Sequence, residues 1–247
     1  MSRSTLHRAW QAAVPLGLRT RAHEWRQHRS RVRRIRFGDL GRTTPIQLDW
    51  GRSRGGPIDR LYIETFLERH RPDITGRVLE VADPGYTERL GVGVERIDVL
   101  DIDPANTQAT IVDDVTDLET VPTGTFDCII FTQVLQLVWD VQSAMRALER
   151  VLVPGGVLLA TVPGILRNAP GKCDWWRFTS WSARRLAEET FAGGTVDVET
   201  FGNVLATTGF LYGLGRRDFD RATLEVSDPA FELLIGIRAK KASGEAS

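Results

Sequence analysis

Residues 126–163 read FDCIIFTQVLQLVWDVQSAMRALERVLVPGGVLLATVP, and this stretch constrains the fold more than any other. Cys128, Ile129, Ile130 and Phe131 form a continuous apolar run of strand length, the composition of a strand covered on both faces. Val141, Ala144, Met145, Leu148, Val151 and Leu152 then recur at helical spacing, with Asp140 where an N-cap belongs. Pro154-Gly155-Gly156 predicts a sharp turn, and residues 157–162 form a second buried run. Strand, helix, turn and strand in this order make a βαβ unit of a parallel sheet.

The remaining segments extend the same architecture. Residues 58–70 (IDRLYIETFLERH) read as a helix, with Ile58, Leu61, Tyr62, Thr65, Phe66 and Arg69 on one face and Asp59 near its start. Residues 78–81, 97–102 and 109–112 read as the first three strands, and 126–131 and 157–162 as the fourth and fifth. A helix over 179–191, a strand over 196–201 and a strand over 231–238 follow. The chain length, 247 residues, suits one such domain with a short appendage. No apolar run is long enough to span a bilayer. The two cysteines do not make a disulfide framework, and no His/Cys cluster has metal-ligand spacing, so no metal is expected.

Charge is unevenly spread although the chain as a whole is neutral. Residues 1–36 carry ten arginines and one acid, Glu24, and the remaining residues carry a compensating acidic excess. The segment mixes these arginines with Trp10 and Trp25. Three readings stay open for this basic arm: a solvated arm, a peripheral helix on an anionic membrane surface, and a nucleic-acid contact. Nucleic acid ranks last, because no basic cluster elsewhere extends the footprint. Residues 37–56, rich in Gly, Pro and Arg, read as a linker to a domain over 57–240, with a short polar tail over 241–247. The expected localisation is cytoplasmic, with membrane-peripheral contact through the arm as the variant.

The wording FDxxx…L…LxPGGxLL resembles the second half of a class I S-adenosylmethionine-dependent methyltransferase, and residues 58–70 resemble the helix before the first strand in that family. The resemblance implies an α/β fold: a Rossmann-like seven-stranded, mostly parallel sheet with helices on both faces. It also implies S-adenosyl-L-methionine as cofactor. In open α/β sheets ligands bind beyond the carboxyl ends of the strands, where strand order reverses. That rule selects the segments after strands one to four.

After strand one stands Glu80-Val81-Ala82-Asp83-Pro84-Gly85-Tyr86. The family carries an acid and then glycines at alternate positions, because glycine lets backbone approach the cofactor. Here the acid is Glu80, but Ala82, Pro84 and Tyr86 occupy the glycine positions and Gly85 is out of phase. After strand two, Asp103 takes the family position for the ribose hydroxyls, with Asp101 as the fallback; a carboxylate can accept both hydrogen bonds. After strand three, the resemblance assigns Asp114 to the adenine amine and Val115 to the ring face. After strand four, Thr132, Gln133 and Gln136 would line the wall between cofactor and acceptor.

Asp174-Trp175-Trp176-Arg177-Phe178-Thr179 stands apart. Aromatic residues beside an arginine in a loop suit sugar or nucleotide surfaces. The alternative is a packed lid with Thr179 capping the next helix. The segment resembles the YWRFT signature of methyltransferase-like proteins encoded among glycan-assembly enzymes. It leads to an expected O-methylation of a sugar or glycolipid-type acceptor, with Asp174 as base, Arg177 orienting the substrate and Gln136 at the reacting wall. A domain that has lost cofactor binding and serves as a scaffold is the alternative reading, because the glycine pattern is eroded.

Overall fold

The computed structural model describes residues 38–168, 171 and 173–244; the basic arm and Pro170 lie outside the described residues. The chain divides into two units between Thr43 and Thr44. Of the first, the described residues form one 3-10 turn, Gly38–Gly41.

The second unit is built on a seven-stranded sheet in the order β3-β2-β1-β4-β5-β7-β6. The strands are β1 Gly76–Val81, β2 Val94–Asp101, β3 Ile111–Val112, β4 Phe126–Thr132, β5 Leu152–Pro163, β6 Thr195–Phe201 and β7 Leu234–Lys240. The first five pair in parallel, and β7 runs antiparallel between β5 and β6. The expected α/β, Rossmann-like sheet is therefore present. Strand order reverses between β1 and β4, which puts the ligand crevice at their carboxyl ends.

The run in β4 explains the two layers. Cys128 and Ile130 enter the core on one face, while Ile129 and Phe131 enter the core on the other, and all four are fully buried. The helices α1 (Ile58–Arg69) and α5 (Val204–Leu211) cover the first face; α3 (Val141–Val151) and α4 (Ser180–Thr190) cover the second. A short α2, Gly85–Leu90, follows β1, and a five-residue α6, Arg221–Glu225, precedes β7. Burial of a large apolar side chain is worth about 1.5–3 kcal/mol, so a polar residue at any of these four β4 positions is excluded.

Several details differ from the sequence expectation. The buried face of α1 is Ile58, Tyr62, Ile63, Phe66 and Leu67; Thr65 and Arg69 flank it, because the helix packs on the sheet through a stripe rotated towards Ile63 and Leu67. Pro154-Gly155-Gly156 does not separate helix from strand. α3 passes directly into β5 at Leu152, and these residues bulge the β5 edge, with Gly155 at φ 80 and pairing resuming at Val157. The second half of the expected linker is folded. Ile46 N–H donates to the Tyr212 carbonyl at 2.8 Å, and the Arg54 guanidinium is paired with Asp218. The helix α5 has no expected counterpart; its start is set by Asn203, whose side chain accepts from Leu205 N at 3.0 Å and Ala206 N at 2.9 Å. No helix among the described residues is long and apolar enough to cross a membrane.

Candidate functional site

The turn after β1 is held from below by Glu80. Its side chain is buried, and Oε1 accepts from Tyr86 N at 3.0 Å. Oε2 accepts from Thr87 N at 2.7 Å and from Thr87 Oγ1 at 2.6 Å. Burial pushes the Glu80 carboxyl up, against the pull of the Thr87 and Tyr86 bonds. Both oxygens are thus spent on the start of α2, and Glu80 shapes the loop from inside. Ala82 stands at φ 70, a left-handed conformation that glycine adopts without strain. Its carbonyl accepts from Asn106 Nδ2 at 2.7 Å. Gly85 N donates to Asp83 Oδ1 at 3.0 Å, and the Tyr86 hydroxyl accepts from Arg60 Nη1 at 3.0 Å.

At the end of β2, Asp101 is absorbed into this framework, accepting from Asn106 Nδ2 at 2.7 Å and from Asp103 N at 3.0 Å. Asp103 is exposed, with Oδ1 accepting from Ala105 N at 2.9 Å and Oδ2 without a donor among the described residues. Asp114, after β3, uses Oδ1 for Thr116 N and Oγ1, both at 2.8 Å, and leaves Oδ2 free. Val115 is buried in the core cluster on the α3 face.

The end of β4 holds the most telling geometry. Gln133 is at φ 57, a strained conformation for a residue with a side chain. Its Nε2 is buried without a partner, and so are Gln136 Oε1 and Thr161 Oγ1. Gln136 is 4% exposed, and its Nε2 donates to the Gln133 carbonyl at 2.8 Å. Thr161 pairs with Thr132 across β4 and β5. Gln133, Gln136 and Thr161 stand at or just past the carboxyl ends of β4 and β5. Buried hydrogen bonds of this kind cost about 1–3 kcal/mol each when left unmade.

A cavity of about 220 Å³ opens beside it, lined by Trp50, Arg52, Pro57, Asp59, Arg60, Gln133, Gln136, Leu137, Leu166, Arg167 and Asp174. The Asp174 segment closes one wall. Trp175 N and Trp176 N donate to the Gln136 carbonyl at 2.8 and 3.2 Å, and Trp176 Nε1 donates to the Val138 carbonyl at 2.8 Å. Trp139 stacks on Trp176 at 5.6 Å and meets Trp175 edge-on at 5.1 Å. Asp174 and Arg177 form a two-armed ion pair, and Arg177 also donates to Trp176, Leu166 and Asn168. Every nitrogen of that guanidinium is used on the loop. Thr179 caps α4 in a reciprocal box with Ser182.

Asp59, Arg60, Arg52 and Arg167 were not singled out as site residues from the sequence. Asp59 Oδ1 accepts from Arg60 N at 2.8 Å, and Oδ2 has no protein donor. Burial pushes this carboxyl up, opposed by Arg60 and Arg216. The signal in the sequence was an Asp-Arg pair in the first turn of a helix that precedes the first strand. Among the described residues no group of side chains could hold a metal ion.

Residues 85–160 match the family model described as a methyltransferase domain. No curated protein matches the sequence. The fold is similar to an S-adenosylmethionine-dependent methyltransferase from Archaeoglobus fulgidus, at 13% identity and TM-score 0.51, covering 74% of this chain and 94% of that one. It is similar also to one from Mesorhizobium loti, at 15% identity and TM-score 0.51, covering 75% and 99%. The matched family model and the fold both point to the methyltransferase domain.

Proposed function

We propose that this chain methylates a hydroxyl of a small, sugar-type acceptor. The observation that carries the reading is the cavity beside the β4 end, lined by Gln133, Gln136 and Asp59. A hydroxyl both donates and accepts, which suits a wall made of amides and a carboxylate. The tryptophans that follow Val138 and Asp174 offer apolar faces at the rim; Trp139 is 66% and Trp175 50% exposed. Aromatic faces of this kind suit a sugar ring.

The residues present fit the cofactor. Asp103 and Asp114 each offer a free, exposed carboxylate oxygen, suited to the ribose hydroxyls and the adenine amine. Ala82, Gly85, Thr132 and Gln133 stand beside them along the β1 and β4 ends, at the switch point. Val115, buried, would act from beneath the adenine site. When bound, S-adenosylmethionine supplies an activated methyl group on a sulfonium.

The chain's own part is positioning. Gln133 and Gln136 orient the acceptor oxygen. Asp59, in the same cavity and with no side-chain ion pair among the described residues, is suited to take the hydroxyl proton. Asp174, the base expected from sequence, is spent on Arg177; both residues serve by holding the wall. The two cysteines are free, which accords with a cytoplasmic location.

A second reading, a scaffold that binds no cofactor, is favoured by one observation: Ala82 at φ 70 and Tyr86 stand where the family has glycine. Calorimetric titration with S-adenosylmethionine and S-adenosylhomocysteine separates the two. Binding by the parent chain, followed by a screen of nucleotide sugars and glycans with labelled methyl donor, is the expected course. No binding at millimolar ligand supports the scaffold.

A further inference from the structure

We propose that Arg52, Arg60 and Arg167 form a subsite for an acidic group on the acceptor, a carboxylate or a phosphate. The inference rests on the reading of the cavity as the acceptor site and narrows its substrate class to anionic molecules.

Three arginines line one cavity. Neighbouring arginines are neutralised within the protein: Arg54 by Asp218, Arg216 by Glu64 and Arg177 by Asp174. Arg52, Arg60 and Arg167 form no ion pair among the described residues. Arg60 is half-buried, and its one side-chain bond donates from Nη1 to the Tyr86 hydroxyl. Arg167 lies over the Trp50 ring at 4.3 Å and donates from Nη2 to the Leu48 carbonyl at 2.8 Å. Its position is therefore set while Nε and Nη1 stay unused. Arg52 has no side-chain partner.

The two carboxylates of the cavity offset only part of this charge and leave Arg52 and Arg167 without an acidic partner among the described residues. Asp174 is consumed by Arg177. Asp59 accepts from the Arg60 backbone N–H and attracts the Arg60 guanidinium without a side-chain ion pair. A guanidinium fork matches a carboxylate or phosphate face. Arg52 and Arg167 come from the segments before α1 and after β5, away from the β2 and β3 ends that carry Asp103 and Asp114. Gln133 and Gln136, in the same lining, add uncharged polar groups beside the arginines.

The test measures S-adenosylhomocysteine binding first, then titrates inorganic phosphate, D-glucuronate and D-glucose, with and without S-adenosylhomocysteine, at constant chloride. Phosphate or glucuronate should bind and glucose should bind at least about tenfold more weakly, the loss of one strong ionic contact. The tighter of the two anions tells which acidic group the site takes. A double variant, Arg52→Gln with Arg167→Gln, should lose at least about tenfold in anion affinity and keep its S-adenosylhomocysteine affinity. Arg167→Lys should recover part of the loss, and Arg146→Gln, on the outer face of α3, should change neither. Equal binding of glucose and glucuronate with no phosphate binding overturns the proposal. So does a double variant that binds anions like the parent. A matching drop in S-adenosylhomocysteine affinity assigns the arginines to the cofactor's own carboxylate and also overturns it. If the parent binds no S-adenosylhomocysteine, the cofactor reading falls, and the titrations without it still decide the anion site.

Discussion

Arg177 donates from Nη1 and Nη2 to the two oxygens of Asp174, at 2.5 and 2.7 Å, with the Asp174 side chain 5% exposed. The pair closes the wall of the cavity, and its two halves are unequal. Arg177 has carbonyl partners in Trp176 and Leu166, whereas the Asp174 carboxylate is left buried without its cation when Arg177 is removed.

Arg177→Ala should therefore destabilise more than Asp174→Asn. Stranding a buried carboxylate costs about 3–5 kcal/mol, and each kcal/mol moves the midpoint by about 2–4 °C at this chain length. Thermal melts of the two variants check the asymmetry. Equal losses would show that the pair is solvated.

Asp103→Ala should weaken S-adenosylhomocysteine binding by about 1.5–3 kcal/mol, the range for hydrogen bonds to a charged group. Its side chain is exposed and touches only Ala105 N, so the melting temperature of the ligand-free variant should not move. Calorimetry at unchanged affinity would take Asp103 out of the site.

Asp59→Asn should lower methyl transfer while leaving S-adenosylhomocysteine affinity intact, because a base acts on the acceptor. The loss expected for a positioned base is on the order of 10²–10⁴-fold. Unchanged turnover would leave positioning by Gln133 and Gln136 as the whole of the protein's contribution.

Gly236 sits in β7 against the ring of Phe66, and a Cβ there would lie 2.5 Å from Phe66 Cδ2. Phe66 is fully buried on α1 and has nowhere to move. Gly236→Ala should cost about 1–3 kcal/mol from overpacking. The paired variant Gly236→Ala with Phe66→Leu should recover part of that loss in denaturant titrations.

Asp98 sets part of the acid limb of stability. Burial opposes its charge, but hydrogen bonds from Arg77, Arg96 and Thr110 outweigh burial and hold its carboxyl below the ordinary 3.8. A depressed carboxyl stabilises the fold above its unfolded value and loses that contribution as pH falls through the lower folded one. Asp98→Asn should lower stability at neutral pH by about 1–3 kcal/mol. It should also flatten the decline below pH 3.8. A parallel, undiminished decline in the variant would assign the acid limb to other carboxylates.

Periodicity and turn chemistry carried the sheet. The β4 run, the α3 stripe and the acids after β2 and β3 are local patterns, and local patterns survive in a linear chain because each depends on neighbours a few residues away. The ion pairing of Asp174 with Arg177, three residues apart, could have been read the same way. The cavity could not. Trp50, Asp59, Gln136 and Arg167 come from four separate segments, and only the closing of α1 and the loop after β5 over the β4 edge brings them to one lining. Whether an arginine is neutralised or left free is likewise a tertiary decision: Arg54 finds Asp218 across 164 residues of chain, while Arg52, two residues earlier, finds no carboxylate. Ion pairing falls off steeply with distance and depends on burial, and neither quantity exists before the chain folds.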